Sequence, residues 1–257
     1  MKAARLHAVR EGRGPVVVLS HALGCDLTMW DACAAQLAPG FTVLRFDHRG
    51  HGASEVVEGP CTIEDMANDA AALITAQGSG PVHFVGLSLG GMVAQQIAAA
   101  HPELIRSIVV ANSSSWYDEA ARSMWRARIE TVLKDGMSAI ADGAMQRWFT
   151  PEFRSHADGA HLVAALRSVL EACDPKAYAA VCDAVSRIDL GASNARIACP
   201  ALVIGGTRDE ATPLAMSEAI CRAISGAELA TIDAAHLSAV EKPAEFAGLV
   251  AEFIGRS

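Results

Sequence analysis

The sequence predicts an α/β fold in which a mostly parallel central sheet is flanked by helices, with a helical cap inserted after the sixth strand. Short apolar, β-rich runs alternate with longer helical stretches at both ends of the chain, as crossover connections between parallel strands require. These runs are apolar on both faces, which is typical of strands that helices cover from both sides. The stretch from 113 to 194 holds no convincing strand and interrupts this alternation.

Each predicted strand is a near-continuous apolar run, and the last of them is the weakest. The runs are Val16–Leu19, Thr42–Phe46, Val82–Val85, Ser107–Val110, Ala201–Ile204 and Leu229–Ile232. A helix is expected to begin after Thr62, which is a capping residue with acids in the turn that follows. Further helices are expected over Met92–Ala100 and over Ala244–Ile254, the latter begun by Pro243 in a first-turn position.

The interrupting stretch shows helical periodicity only. Its expected helices are Glu119–Lys134, Met137–Trp148, Ala160–Cys173 and Lys176–Val185. Consecutive helices without strands do not connect neighbouring strands of a sheet, so this stretch is interpreted as an insertion over one end of it. The sequence therefore predicts a core formed by residues 1–112 and 195–257 and a helical cap formed by residues 113–194.

Composition excludes several classes of protein. The chain has 257 residues, 51% of them hydrophobic, and a net charge of −8, so it is neither disordered nor basic enough for nucleic acid or anionic membranes. It has no run of 18 apolar residues that could cross a bilayer, and its first residues lack the apolar stretch of a secretory signal. Seven cysteines without a C-x-x-C pair predict reduced, mostly buried thiols. A soluble, cytoplasmic protein is expected, and its oligomeric state stays open.

Ser88 is the candidate nucleophile. It lies in Gly86-Leu87-Ser88-Leu89-Gly90, directly after a predicted strand and before a helix, and the glycines permit a tight turn that exposes the serine. There the Leu89 N–H can donate to a developing oxyanion. A phosphate-binding glycine loop is the alternative. It is disfavoured because a dinucleotide fingerprint needs glycine where Ser88 stands and Walker spacing is absent.

A serine needs a base, and the base needs an orienting acid. His236 follows the last predicted strand on a short loop, at the sheet edge expected to carry Ser88. Asp209 follows the Ala201–Ile204 strand and is the candidate acid, with Glu210 the neighbouring alternative and Asp233 a more distant one. The chain order of nucleophile, acid and base matches the order in α/β-hydrolases.

The loop after the first predicted strand, His21-Ala22-Leu23-Gly24, is expected to supply a second oxyanion donor from the Leu23 N–H. His21 is interpreted as structural. Cys25 is expected near the mouth of the pocket, as a minor candidate for substrate contact. A metal site from His48 and His51 is disfavoured, because no carboxylate–histidine spacing supports it. No metal and no cofactor are predicted.

Together these residues resemble the α/β-hydrolase superfamily, and along nearly the whole chain they resemble the 3-oxoadipate enol-lactonases. The resembling stretches are Leu19–Asp31, Gly86–Met92, Gly136–Met137, Arg147–Thr150, Asp174–Tyr178 and Ala234–Glu241. One departure is His21-Ala22, where those lactonases usually carry a small polar pair. The resemblance implies an α/β-hydrolase fold and a serine hydrolase of the β-ketoadipate pathway of aromatic catabolism, which opens a small anionic enol lactone through an acyl-enzyme.

An anionic substrate of this kind needs a cation or strong donors in a mostly apolar pocket. The predicted cap offers several arginines, of which Arg147 with its neighbour Trp148 is the candidate for substrate binding; the others are Arg122, Arg126 and Arg128. A carboxylesterase, another lactonase or a cofactor-free perhydrolase is the enzymatic alternative. A hydrolase-fold binding protein without catalysis is the alternative of a different class.

Overall fold

The computed structural model describes residues 3–78 and 80–256, which form a seven-stranded sheet between layers of helices. The strands are β1 (Ala8–Gly12), β2 (Val16–Ser20), β3 (Thr42–Phe46), β4 (Val82–Leu87), β5 (Ile105–Ala111), β6 (Ala201–Gly206) and β7 (Glu228–Ile232). Their spatial order is β1-β3-β2-β4-β5-β6-β7. Only the β1–β3 pair is antiparallel in this sheet of described residues, so the predicted mostly parallel sheet is confirmed.

Capping side chains or a first-turn proline mark the start of several helices of the described residues. They are α1 (Asp31–Leu37), α2 (Ile63–Ala76), α3 (Leu89–Ala100), α4 (Glu119–Asp135), α5 (Ser138–Trp148), α6 (Pro151–Ser155), α7 (Ala157–Glu171), α8 (Pro175–Ser186), α9 (Gly191–Asn194), α10 (Leu214–Ala223), α11 (Ser238–Glu241) and α12 (Pro243–Gly255), with short 3-10 helices at Leu27–Trp30 and Pro102–Leu104. Thr62 and Asp65 form a reciprocal capping box before α2, and Pro243 occupies the first turn of α12. Both predicted helix starts are confirmed.

The position of the helical insertion needs a correction. The helices α4 to α9 follow β5, which is the fifth strand of the described chain and not the sixth. The insertion comes one strand earlier than predicted because only one strand, β1, precedes β2 in the described chain. The structure also adds β1, which the sequence did not predict, because its residues are half-buried or exposed at the sheet edge and show no apolar run.

The parallel strands bring functional candidates to one edge of the sheet. All residues of β3, β4 and β6 are buried, as helices on both faces require. The strands β2, β4, β6 and β7 run parallel, so their carboxyl ends lie at the same edge of the sheet. Ligands of open α/β sheets bind outside this edge. His21, Ser88, Asp209 and His236 all follow those strand ends within a few residues.

The helical insertion is tied to the loop after β7. The Leu237 N–H donates to the Trp148 carbonyl oxygen at 3.0 Å, at the end of α5. The Thr150 N–H and hydroxyl donate to the Glu241 carboxylate at 2.8 and 2.9 Å. The insertion is thus bonded to the chain segment that directly follows His236. None of the helices in residues 3–78 and 80–256 has the length and hydropathy that crossing a bilayer demands.

Candidate active site

Ser88 adopts a backbone conformation that most residues avoid. Its φ of 56° and ψ of −113° lie outside the common regions, and it directly precedes α3, so its side chain stands at the N-terminus of that helix. The turn is close-packed: a Cβ on Gly86 would lie 2.0 Å from the Gly90 carbonyl oxygen, and one on Gly90 would lie 2.0 Å from the Ser20 carbonyl oxygen. Glycine is therefore required on both sides of Ser88, which stays partly exposed.

The structure brings His236 and Asp209 into line with this serine. The Ser88 Oγ lies 2.9 Å from His236 Nε2, and His236 Nδ1 lies 2.9 Å from Asp209 Oδ2. Both His236 and Asp209 are 5% exposed. In this chain of bonds Nδ1 donates to the carboxylate, so Nε2 of the neutral ring is free to accept the hydroxyl proton.

Asp209 is held by several donors besides His236. Its Oδ1 accepts the N–H groups of Ala211 and Thr212 at 2.8 and 2.9 Å, and its Oδ2 accepts the Thr212 hydroxyl at 2.7 Å and Asn112 Nδ2 at 3.0 Å. Burial raises the pKa of Asp209, but the charge and hydrogen bond of His236 and the bonds from Thr212 outweigh it. The pKa consequently lies below its usual value, and the carboxylate is ionised.

The two alternative acids lie elsewhere. Glu210 is exposed, and Asp233 is exposed and accepts the Thr207 hydroxyl at 3.3 Å. Asp209 is the acid that the geometry pairs with His236.

Sequence reasoning missed Asn112, which braces the acid and base loops. It follows β5 with a φ of 45°, and its Nδ2 donates to Asp209 and to the Ala235 carbonyl oxygen at 3.3 Å. Its Oδ1 accepts the Ser238 hydroxyl at 2.6 Å. The available signal was its place after a strand at the edge that carries the site, since asparagine tolerates positive φ.

The two expected oxyanion donors have free N–H groups. In the described part of the chain, neither the Leu23 N–H nor the Leu89 N–H has a backbone or side-chain acceptor. Leu89 is the first residue of α3, where unpaired N–H groups and the helix dipole favour negative charge. Gly24, next to Leu23, has a φ of +76°, and a Cβ there would lie 2.5 Å from Leu170 Cδ1. The loop of residues 21–24 therefore packs directly on α7.

The imidazoles of His21, His48 and His51 form a buried cluster beside this loop. The ring centroid of His21 lies 4.6 Å from that of His48 and 5.4 Å from that of His51. Burial lowers the pKa of all three, that of His48 well below its usual value and that of His51 to about 3. The three rings are neutral in the native protein.

This cluster predicts loss of stability in acid. The unfolded chain binds protons at these histidines below about pH 6.5, whereas the native chain does so only at lower pH, so the free energy of unfolding falls as pH drops. Each such histidine adds a slope of about 1.4 kcal/mol per pH unit between those two pKa values. Urea denaturation at pH 7.5, 6 and 5 measures this slope.

Two histidine-to-glutamine variants provide a further test of the cluster and its control. His51→Gln retains a side-chain acceptor for the Gly24 N–H, which now donates to His51 Nε2 at 3.1 Å, and removes one titrating group. We expect its slope between pH 6 and 5 to fall by about 1.4 kcal/mol per pH unit. His156→Gln at an exposed position should leave the slope unchanged. An unchanged slope in His51→Gln contradicts the interpretation.

Arg147 is half-buried without a partner. Burial lowers its pKa and so does the nearby charge of Arg128, whereas Tyr178, Tyr117 and Asp209 raise it. Within residues 3–78 and 80–256 its guanidinium makes no hydrogen bond or ion pair with another side chain. Burying a cation without a counterion is costly, so this site favours an anion.

The remaining candidates differ in their surroundings. Trp148 is buried, and its ring is among the nearest groups to Gly24 of the oxyanion loop. Arg128 donates from Nε to the Tyr178 hydroxyl at 2.9 Å and stacks on that ring and on Trp125, whereas Arg126 pairs with Glu119 at the surface. Trp148 thus approaches the loop of residues 21–24, and substrate binding by Arg147 and Trp148 stays a prediction.

Cys25 does not lie at an open pocket mouth. It is fully buried, and burial raises its pKa well above the usual value, so its thiol stays protonated. All seven cysteines are free thiols. The described residues contain no group of three or more histidine, cysteine, aspartate or glutamate side chains arranged to hold a metal ion.

Known proteins with a similar sequence and structure are consistent with this geometry. Residues 16–249 match the model of the alpha/beta hydrolase family. The chain belongs to this family. The predicted α/β-hydrolase fold is therefore confirmed, both by the family match and by the sheet described above.

Individual hydrolases are similar over nearly the whole chain. The 3-oxoadipate enol-lactonase 2 of Acinetobacter baylyi is 34% identical over 90% of this chain and 85% of its own length. The crystal structure of an enol-lactonase from Burkholderia xenovorans LB400 superposes with a TM-score of 0.94, at 34% identity and with 98% and 97% of the two chains covered. A thermophilic esterase from Thermogutta terrifontis superposes with a TM-score of 0.91, at 28% identity over 98% of this chain and 94% of its own.

Proposed function

We propose that this alpha/beta hydrolase opens a small anionic enol lactone, 3-oxoadipate enol-lactone, to 3-oxoadipate through an acyl-enzyme on Ser88. The observation that carries the proposal is the hydrogen-bonded series Ser88, His236 and Asp209 at the carboxyl edge of the sheet. The enol-lactonases that are similar to this chain over 90% or more of its length support the substrate class. Seven free thiols suit a reducing compartment such as the cytoplasm.

In the proposed first step, His236 Nε2 takes the Ser88 hydroxyl proton while Oγ attacks the lactone carbonyl carbon. The Leu23 and Leu89 N–H groups then hold the negative oxygen of the tetrahedral intermediate, and one such donor contributes about 3 kcal/mol. Asp209 stabilises the imidazolium. The bond between the carbonyl carbon and the ring oxygen breaks, and the imidazolium returns its proton to the enolate oxygen that leaves.

In the second step, water attacks the acyl group on Ser88. His236 removes a proton from this water and afterwards returns it to the Ser88 oxygen, so the enzyme ends in its starting state. The product is a carboxylic acid whose enol tautomerises to the ketone. Every proton in both steps is carried by His236 or by water.

The substrate also carries a free carboxylate, which we assign to Arg147. The unpaired, half-buried guanidinium offers a charge-assisted bond, and the Asp209 charge lies near enough to act on it. Trp148 supplies apolar surface next to the oxyanion loop. In this proposal residues 113–194 act as a cap that determines which acyl compounds enter, while the core residues perform the chemistry.

Two substrates and one arginine variant test the assignment. We expect the native protein to have a higher kcat/KM on the enol lactone than on p-nitrophenyl acetate. Arg147→Met should lower kcat/KM on the anionic lactone by roughly 10- to 100-fold, since hydrogen bonds to charged groups contribute about 1.5–3 kcal/mol. The same variant should leave kcat/KM on the neutral ester unchanged. Arg126→Met removes an exposed arginine and is the control. Equal losses on both substrates would overturn the role of Arg147.

A carboxylesterase is the second candidate function, favoured by the similarity to the thermophilic esterase. It uses the same Ser88, Asp209 and His236 and differs only in the substrate. A native preference for p-nitrophenyl acetate over the enol lactone would select it. The Arg147→Met variant would then be active on the simple ester with unchanged kcat/KM.

A further inference from the structure

We propose that the His21 side chain is a positioning residue that directs the Leu23 N–H toward the oxyanion. The inference rests on the proposed function, because it takes Leu23 as an oxyanion donor. His21 is fully buried and does not reach the reacting atoms, so it acts through the backbone of the next residue.

The key contact is between the His21 ring and the neighbouring peptide. His21 Nδ1 lies 2.8 Å from the Ala22 carbonyl oxygen, which also accepts the Cys25 N–H at 3.1 Å. That carbonyl and the Leu23 N–H belong to one planar trans peptide, in which C=O and N–H point in opposite directions. Holding the carbonyl oxygen on one side therefore fixes the direction of the Leu23 N–H on the other.

The tautomer of His21 is set by a second bond. The backbone N–H of His48 donates to His21 Nε2 at 2.9 Å, so Nε2 carries no proton. A neutral imidazole then has its hydrogen on Nδ1, which is the donor that the Ala22 carbonyl needs. The ring can make both bonds in one protonation state only. His48 therefore orients His21 in the way that a triad carboxylate orients its histidine, but with a backbone donor.

A backbone hydrogen bond of His21 also connects the loops of the two proposed oxyanion donors. The His21 carbonyl oxygen accepts the Gly90 N–H at 3.1 Å, in the first turn of α3, where Leu89 supplies the other donor. On the far side of Leu23, the Gly24 N–H donates to His51 Nε2 at 3.1 Å. The Leu23 peptide is thus bracketed by bonds that involve buried imidazoles, while its own N–H is left without an acceptor in the described chain.

Two substitutions at this position separate the donor from the acceptor. His21→Asn puts an amide nitrogen near the place of Nδ1 and removes the acceptor for the His48 N–H. His21→Gln reaches the place of Nε2, where its amide oxygen can accept from His48, and removes the donor to the Ala22 carbonyl. The pair therefore compares loss of the donor with loss of the acceptor at one site.

The measurements are kcat and KM on the enol lactone and the Ki of phenylboronic acid, which forms a tetrahedral adduct with the serine oxygen. Removing an oxyanion donor costs about 10²–10³ in kcat, so misdirecting one in His21→Gln should cost roughly 10- to 100-fold. We expect KM to change little and Ki to rise by the same factor as kcat falls. His21→Asn should stay within about threefold of the native kcat and Ki, since the donor is retained.

Several results would overturn the proposal. One is a His21→Gln enzyme that binds phenylboronic acid as tightly as the native protein. Another is a folded His21→Asn enzyme whose kcat falls as much as that of His21→Gln. The important bond of His21 would then be the one that Nε2 accepts from the His48 N–H, and not the one that Nδ1 donates to the Ala22 carbonyl oxygen. If His21→Gln fails to fold, His21→Asn decides alone. A kcat and a Ki close to the native values support the proposal, and a large change in both contradicts it. If the native protein itself neither binds phenylboronic acid nor opens the lactone, the proposed function has failed instead.

Discussion

Ser88→Ala should lower kcat on the enol lactone by about 10⁶-fold, the loss seen when a triad serine is removed from a serine hydrolase. The substitution removes the oxygen that attacks the lactone carbonyl in the first step of the proposed mechanism, while the strained turn and the two proposed oxyanion donors stay in place. The native protein should react with a fluorophosphonate probe, and Ser88→Ala should not. Gel fluorescence measures the labelling, and single-turnover kinetics measures the residual rate.

A second serine provides the control. Ser155→Ala changes an exposed hydroxyl at the end of α6 that donates to the Glu152 carbonyl oxygen at 3.0 Å. It should be labelled and should turn over like the native protein, and both variants should keep the native melting temperature within a few degrees. Native protein that takes no label would favour a binding protein that kept the fold without the chemistry.

The pairing of Ser88, His236 and Asp209 could be anticipated because of topology. In a parallel sheet the residue that follows each strand lies at the same edge, so short loops after β4, β6 and β7 had to approach one another. Each candidate lay within five residues of a predicted strand end, and the nucleophile turn carried its own glycine signal. The distances of 2.9 Å between them are a product of loop conformation, which no pattern in the sequence contains.

Features that depend on packing between distant segments could not be anticipated. The strand β1 has half-buried and exposed residues in an edge position, so it lacks the apolar run by which buried strands are recognised. Asn112 acts through its contacts with Asp209 and Ser238, which lie 97 and 126 residues away in the chain. Arg147 on α5 is influenced by Arg128 on α4 and Tyr178 on α8, and helical periodicity does not say which helices approach one another.

For His21, too, the sequence predicted the position of the residue but not its contacts. The sequence indicated that His21 lies in the oxyanion loop and favoured a structural role, but the identity of its partners was hidden. The His48 N–H belongs to a turn 27 residues later, and its bond to Nε2 decides which tautomer exists. The proposed role of His21 therefore rests on a contact that only the folded chain provides.

Asp209→Asn should lower kcat by about 10⁴-fold while the protein stays folded, as in the analogous triad substitution. The local donors dictate how the amide would lie. The N–H groups of Ala211 and Thr212 both point at Oδ1, so the amide oxygen must stay there, and the NH₂ group must face His236 Nδ1. Nδ1 then has to accept, the ring proton moves to Nε2, and Nε2 can no longer take the proton of Ser88.

The neighbouring carboxylate is the matched control for this tautomer argument. Glu210→Gln makes the same chemical change one residue later, at an exposed position that makes no contact with His236, and should alter kcat by less than about twofold. KM for the lactone should change little in either variant, because neither side chain binds the substrate. A large loss in Glu210→Gln with a mild one in Asp209→Asn would make Glu210 the orienting acid. In that case the bond between Asp209 Oδ2 and His236 Nδ1 would only support the fold, and the loop after β6 would have to rearrange during turnover.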